Sequence, residues 1–142
     1  MKKLLVLPFL LVFGLSYAQQ QEVKKQVDSL VLFIKNKATE SFAVNAVYHG
    51  TDLKRKWKDA YNPVNTEELK AAKALMDEMK KALNECTYQE FDTFKQDVQS
   101  EGTWYVYTYA CGRTKKIHLA FLKIKGKYLL GDIDVEEEKD DD

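Results

Sequence analysis

The spacing of apolar residues changes period once along the chain. In residues 22–37, Val23, Val27, Leu30, Val31 and Ile34 recur at three- and four-residue steps, which predicts an amphipathic helix. Leu32 and Phe33 widen its apolar face, and a face that wide predicts burial against a sheet or two neighbours. Residues 41–62 are less regular, with Phe42, Val44, Val47 and Tyr48 before His49-Gly50 and Leu53, Trp57 and Tyr61 after. That pattern predicts two short helices, the first ended by Gly50 and the second capped by Asp52. Asn62-Pro63-Val64-Asn65 reads as a loop, and Asn65 with Glu68 predicts a capping box opening a third helix. Leu69, Ala72, Met76, Met79 and Leu83 give that helix its stripe, and Asn84 closes it.

Beyond Asn84 the runs are aromatic and β-branched and are bounded by turn residues. Strands are predicted over residues 86–98, 104–111, 116–124 and 128–135. Tyr88, Phe91, Phe94 and Val98 break strict alternation, which predicts a bulge near Asp92-Thr93. The expected fold class is α+β, with N-terminal helices packed on a strongly bent four-stranded antiparallel meander. Reading Glu101-Gly102, Arg113-Thr114 and Lys125-Gly126 as two-residue hairpin turns sorts the side chains onto two faces. One face then holds Phe94, Val98, Tyr105, Tyr107, Tyr109, His118, Ala120, Leu122, Ile124, Leu129, Ile133 and Val135. The other holds Phe91, Val106, Ala110, Ile117, Leu119, Phe121, Tyr128 and Leu130, with Lys95, Asp132 and Asp134. Both are apolar in the middle and the helices can cover only one. A homodimer contact through Val106, Ile117, Leu119, Phe121 and Leu130 is therefore expected, or else a sheet wrapped upon itself.

The amino terminus adds an address. Lys2-Lys3, an apolar run over residues 4–15 and small residues at Ser16 and Ala18 form the pattern of a secretory leader spanning residues 1–18. The run is short of the ~20 residues that span a bilayer, so no stable membrane anchor is expected, and the destination is periplasmic or secreted. Residues 19–135 then form one domain, followed by an acidic tail over 136–142. Removing Lys2 and Lys3 turns 22 basic and 22 acidic residues into 20 and 22, a balance that does not favour nucleic acid. The cluster Lys54-Arg55-Lys56-Trp57-Lys58, flanked by Asp52 and Asp59, reads as the solvated side of a short helix. For the two cysteines, Cys86 and Cys111, the signals conflict. Export favours a disulfide, whereas the predicted register sets Cys111 opposite Asp92, several residues away from Cys86.

Candidate chemistry is sparse. His118 shares the predicted tyrosine face and sits opposite Tyr109, so Tyr105, Tyr107, Tyr109 and His118 form the candidate ligand-binding set. Imidazoles exchange protons near neutral pH, which suits a base held by a phenol, although a hydrogen-bonded structural histidine is the commoner role. His49 suits a helix C-terminus. Two histidines without a His-x-His or Cys-x-x-Cys motif give no basis for zinc, and no cofactor is implied. Asp132 and Asp134 share a face in the manner of a strand leaving the core. Nucleophile-elbow, phosphate-loop and dinucleotide motifs are absent.

The last hairpin pairs Phe121-Leu122-Lys123-Ile124 with a strand opening on Tyr128 and ending in Asp132-Ile133-Asp134, around a Lys125-Gly126 turn. With helices ahead of it, this resembles the small exported proteins of the nuclear transport factor 2-like superfamily, with cystatin-like architectures next. The resemblance implies a cone-shaped α+β domain around a cavity, in a group that includes isomerases, dehydratases and dimerising adaptors. The chain departs from that pattern in showing no early hairpin between its second and third helices. The functional expectation is a non-catalytic exported domain that binds an apolar small molecule or a protein partner. The alternatives are a cofactor-free lyase or isomerase using His118 with Tyr107 or Tyr109, and an inhibitor-like or envelope-structural protein. Mass spectrometry of the native protein should find Gln19 at its amino terminus; intact residues 1–18 would refute export by this leader.

Overall fold

The computed structural model describes residues 6–86 and 88–139, with side chains from residue 16 onward. Residues 1–5 of the expected leader and residues 140–142 of the expected tail lie outside the described residues. The elements in order are α1 (Val6–Lys35), α2 (Thr39–Ala43), α3 (Thr66–Asn84), β1 (Glu90–Gln99), β2 (Gly102–Cys111), β3 (Lys115–Ile124) and β4 (Lys127–Glu137). The strands form one antiparallel sheet in the order β1-β2-β3-β4, the meander expected of an α+β chain. β4 runs through Glu136 and Glu137, two residues past the expected end of the domain.

α1 buries Val23, Val27 and Leu30 completely, while Leu32 is 52% exposed and does not widen the buried stripe. Lys37, at φ 54°, ends the helix in a left-handed turn in which Ala38 N–H donates to Phe33 C=O. α3 packs through Ala72, Leu75, Met76, Met79 and Ala82. Its N-cap is Asn65, whose side chain accepts from the N–H groups of Glu67 and Glu68. The expected capping box is only half formed, because the Glu68 carboxylate turns to Asn62 N–H and to Arg55 instead.

The second predicted helix of residues 41–62 is replaced by turns. α2 stops at Ala43, and Asp52 C=O accepts from both Arg55 and Lys56 N–H, closing a single turn that propagates no further. Residues 45–47 instead join the β4 edge. Val47 N–H donates to Leu130 C=O at 2.8 Å, and Leu130 N–H donates to Asn45 C=O at 3.0 Å. Val47 also bridges Ala60 in antiparallel fashion, so a rudimentary hairpin does lie between α2 and α3. Gly50 is there for space rather than as a helix stop: a Cβ at that position would come within 2.5 Å of the Tyr48 hydroxyl.

Two details of the sheet reverse the predicted faces. Cys111 pairs with Lys115, so the β2–β3 connection has three residues, with Gly112 at φ 80°, and is not a two-residue Arg113-Thr114 turn. One residue of loop length flips every β3 side chain. Tyr105, Tyr107 and Tyr109 therefore face with Phe121, Leu119 and Ile117, and His118 faces with Thr108. In β4 the register shifts between the Ala120 and Phe121 pairings, leaving Gly131 as a bulge. Leu130 and Ile133 thus share the tyrosine face, while Leu129, Asp132 and Asp134 point outward. A Cβ on Gly131 would meet the Trp104 ring at 2.6 Å, which accounts for the glycine. The bulge between Phe91 and Thr93 and the Lys125-Gly126 turn are as the sequence predicts.

The helices cover the tyrosine face. Ile117, Leu119, Phe121 and Leu130 have no exposed surface and pack in one cluster with Val23, Val27, Leu30, Phe42 and Met79. Four of the five residues expected at a homodimer contact are thus core beneath the chain's own helices, and the fifth, Val106, lies on the opposite face. A disulfide joins Cys86 and Cys111, whose Cα atoms are 5.2 Å apart. The Phe91–Thr93 bulge and the β1–β2 turn at Ser100-Glu101 move Cys111 past the start of β1, level with the chain leaving α3. By loop length the bridge contributes roughly 3 kcal/mol.

Leu119→Asp should abolish the cooperative unfolding transition in circular dichroism, because it sets an unpaired charge in a dry core. Leu119→Ala should cost about 3 kcal/mol in denaturant unfolding, and Val106→Asp, on the open face, should stay folded. Retention of a native transition by Leu119→Asp would contradict the packing.

Candidate functional site

The uncovered sheet face is built from alternate residues of all four strands. Thr93, Lys95 and Asp97 come from β1, Trp104, Val106, Thr108 and Ala110 from β2, Lys116, His118 and Ala120 from β3, and Asp132, Asp134 and Glu136 from β4. One end of this face is closed by a second small core, in which Val47 packs on Leu122 and Leu129 with Trp57, Ala60, Trp104 and Ile124 around them. The Trp57 and Trp104 rings meet edge to face at 5.6 Å. The remainder of the face is open.

Between the two aromatics and the centre of the sheet lies a shallow cleft of about 310 Å³. Val106 and Ala120 form its floor, Trp104 one wall, and Asp97, Glu101 and Asp132 its rim. Trp104 Nε1–H donates to Glu101 Oε1 at 2.6 Å, and this hydrogen bond holds the Glu101 carboxyl below its usual range. Among the described residues, three carboxylates and no cation line the cleft.

Beside the cleft a hydrogen-bonded chain crosses three strands. The Thr108 hydroxyl lies 2.8 Å from His118 Nδ1, and His118 Nε2 lies 3.0 Å from Glu136 Oε2. A neutral imidazole with its proton on Nε2 satisfies both contacts, accepting from the hydroxyl and donating to the carboxylate. The order hydroxyl, imidazole, carboxylate has the look of a nucleophile and its base, but Thr108 is only 2% exposed, which keeps a substrate from its oxygen. The chain instead fastens β4 to β2 through β3.

The expected ligand-binding set is divided by the sheet. Tyr105, Tyr107 and Tyr109 lie under the helices in an aromatic layer with Phe91, Phe94 and Tyr128, with Tyr105 and Tyr128 edge to face at 5.1 Å. Burial pushes the hydroxyls of Tyr107 and Tyr109 up and that of Tyr128 up to about 12. His118 is on the other face and meets Thr108, so it has no tyrosine as its partner. His49 does not cap a helix. Its Nδ1 is 2.8 Å from the hydroxyl of Tyr61, and its ring stacks on Trp57 with centroids 5.7 Å apart.

Arg55, read from the sequence as part of a solvated basic face, is instead the organiser of residues 48–68. Its guanidinium donates to Glu68 Oε1 and Oε2 at 2.6 and 3.1 Å and to Ala60 C=O at 2.9 Å, and it lies 4.4 Å from the centroid of the Tyr48 ring. Arg55 is one of only two arginines among 22 basic residues, and an arginine chosen where lysine is the rule signals a planar, bidentate contact. Tyr48, His49, Tyr61 and Glu68 also line a second cleft of about 300 Å³.

The Arg55 hydrogen bonds hold the Glu68 carboxyl below its usual range, with burial opposing them. A depressed carboxyl stabilises the fold above its unfolded value of about 4.3, and that contribution fades as pH falls through the lower folded value. Arg55→Ala should therefore cost about 2 kcal/mol at neutral pH, with a shallower loss of stability on acidification than the parent. Thermal melts between neutral and strongly acidic pH check both, and parallel pH profiles for the two proteins would refute the pairing.

Compared with known proteins, the chain matches no family model, no curated protein and no solved structure.

Proposed function

We propose that this is an exported, non-catalytic binding domain of nuclear transport factor 2-like type that takes a basic segment of a protein partner on the open face of its sheet. The single observation that carries this reading is the cleft beside Trp104, with an apolar floor of Val106 and Ala120 under a rim of Asp97, Glu101 and Asp132. A lysine or arginine side chain presents the complementary surface, an aliphatic stem for the floor and Trp104 and a charge for the rim. Such sites gain on-rate and selectivity from charge and affinity from the desolvated floor.

The superfamily assignment is supported by helices leading into an antiparallel meander, and by the rudimentary hairpin at Val47 and Ala60. Binding of an apolar small molecule inside the cone is a weaker reading, because the inner face is filled by Leu30, Phe42, Met79, Leu119 and Phe121. The lyase or isomerase reading loses its geometry with His118 and the tyrosines on opposite faces.

Titration with a short peptide of alternating arginine and leucine should shift the amide resonances of Val106, Ala120 and Asp132. Asp97→Lys with Asp132→Lys should weaken binding by roughly tenfold or more. Equal affinity for the parent and this double variant, or shifts confined to other residues, would refute the site.

A further inference from the structure

The turn at residues 52–59 and the β3–β4 turn lie about 70 positions apart in sequence and together at one end of the molecule. Lys125 Nζ is 3.7 Å from Asp59 Oδ1, and Trp57 packs in the same small core as Ile124. This contact adds Lys125 and Lys127 to Lys54, Lys56 and Lys58 on a single surface, while Lys123 points to the other face of the sheet, over the Tyr128 ring. Of these five lysines only Lys125 has a carboxylate partner among the described residues. Arg55 is turned inward to Glu68 and Asp59 and is not part of the exposed charge. Amid the lysines of the first turn stands Leu53, an apolar side chain left 78% exposed.

We infer that this end of the molecule is a peripheral docking surface for an anionic phospholipid bilayer. Five lysines on two adjacent turns offer mobile point charges to a plane of phosphate headgroups, and each lysine near such a surface adds to the attraction. Leu53 supplies what charge alone lacks, an apolar group that enters the headgroup and acyl boundary. The turn that presents it is held from below by the Trp57–Trp104 contact and by Trp57 N–H donating to Tyr48 C=O at 2.9 Å. The acidic residues Glu136 and Glu137 sit at the far end of β4, nine and ten residues or roughly 30 Å from Lys127, where Glu137 pairs with Lys115.

A nucleic acid or other soluble polyanion fits the same surface less well. Such partners reward exposed aromatic rings and arginine forks, and here Trp57 is folded into the small core and Arg55 is paired inside. An exposed leucine does nothing for a polyphosphate.

The test is co-sedimentation of the native protein with vesicles of phosphatidylcholine, with and without phosphatidylglycerol. Binding is expected only with the anionic lipid, and it should fall steeply as salt is raised. The triple variant Lys54→Glu, Lys56→Glu, Lys58→Glu should lose roughly a hundredfold in affinity. The same charge change at exposed positions of α3, Lys70→Glu, Lys80→Glu, Lys81→Glu, should lose far less. Leu53→Ser should weaken binding severalfold with charge unchanged. All variants should keep the parent's circular dichroism, and Lys→Gln replacements at the same three turn positions repeat the test without charge reversal. Equal losses in the two triple variants, equal binding to vesicles without phosphatidylglycerol, or polyphosphate binding as tight as vesicle binding and indifferent to Leu53→Ser would each overturn the inference.

Discussion

Burial of one face of a four-stranded meander beneath α1 and α3 is the constraint on which the rest of this structure depends. Ile117, Leu119, Phe121 and Leu130 lose all contact with water, and a side chain of that kind contributes about 2 kcal/mol when fully buried. A strand has only two faces, so committing these residues inward commits Thr108, His118 and Ala120 outward, and the Gly131 bulge turns Asp132 out beside them. Every feature of the open face follows from that choice, including the relay through His118 and the acid-rimmed cleft beside Trp104.

The exposed edges are handled differently on the two sides of the sheet. Residues 45–47 pair with the edge of β4, and the chain then folds back through a turn clamped by Arg55 to lay Trp57 against Trp104. This closes one end of the open face and presents the Lys54, Lys56 and Lys58 turn beside the β3–β4 hairpin. The β1 edge has no such cover among the described residues and instead carries Glu90, Asp92, Lys95 and Asp97, charges that oppose pairing with another strand. The disulfide anchors the chain just ahead of this uncovered strand to the end of β2, where pairing alone would fray.

A near-zero net charge conceals a locally sorted surface. Asp97, Glu101 and Asp132 rim the cleft, the lysine turns lie beyond Trp57 at the same end of the sheet, and at the far end Lys115 and Lys116 pair with Glu85, Asp92 and Glu137. The proposed peptide site and the proposed bilayer surface draw on opposite charges and adjoin each other across the Trp57–Trp104 contact.

Much of the fold is written in local pattern. The stripe of Val23, Val27 and Leu30 specifies α1, Asn65 specifies the start of α3, and the broken alternation around Phe91 specifies the first bulge. Those are short-range effects, complete within a few residues. The assignment of faces is not, because Arg113-Thr114 and the three-residue turn from Gly112 to Thr114 are equally good hairpin chemistry, and the choice between them inverts β3. Only packing against the helices decides it, by burying Leu119 and Phe121 in preference to His118 and Ala120. The bulge at Gly131, the disulfide and the turn around Arg55 are settled in the same way. Each depends on a group distant in sequence: the Trp104 ring over Gly131, the end of α3 beside Cys111, and Glu68 for the guanidinium. The sequence by itself determines α3, the four strands, the apolar stripe of α1 and their order, since propensity, capping and turn residues act locally, whereas the turn over residues 52–59 is read from it as a helix. The tertiary structure alone decides which side chains share a face, because a one-residue change of register costs little locally and exchanges core for solvent along an entire strand.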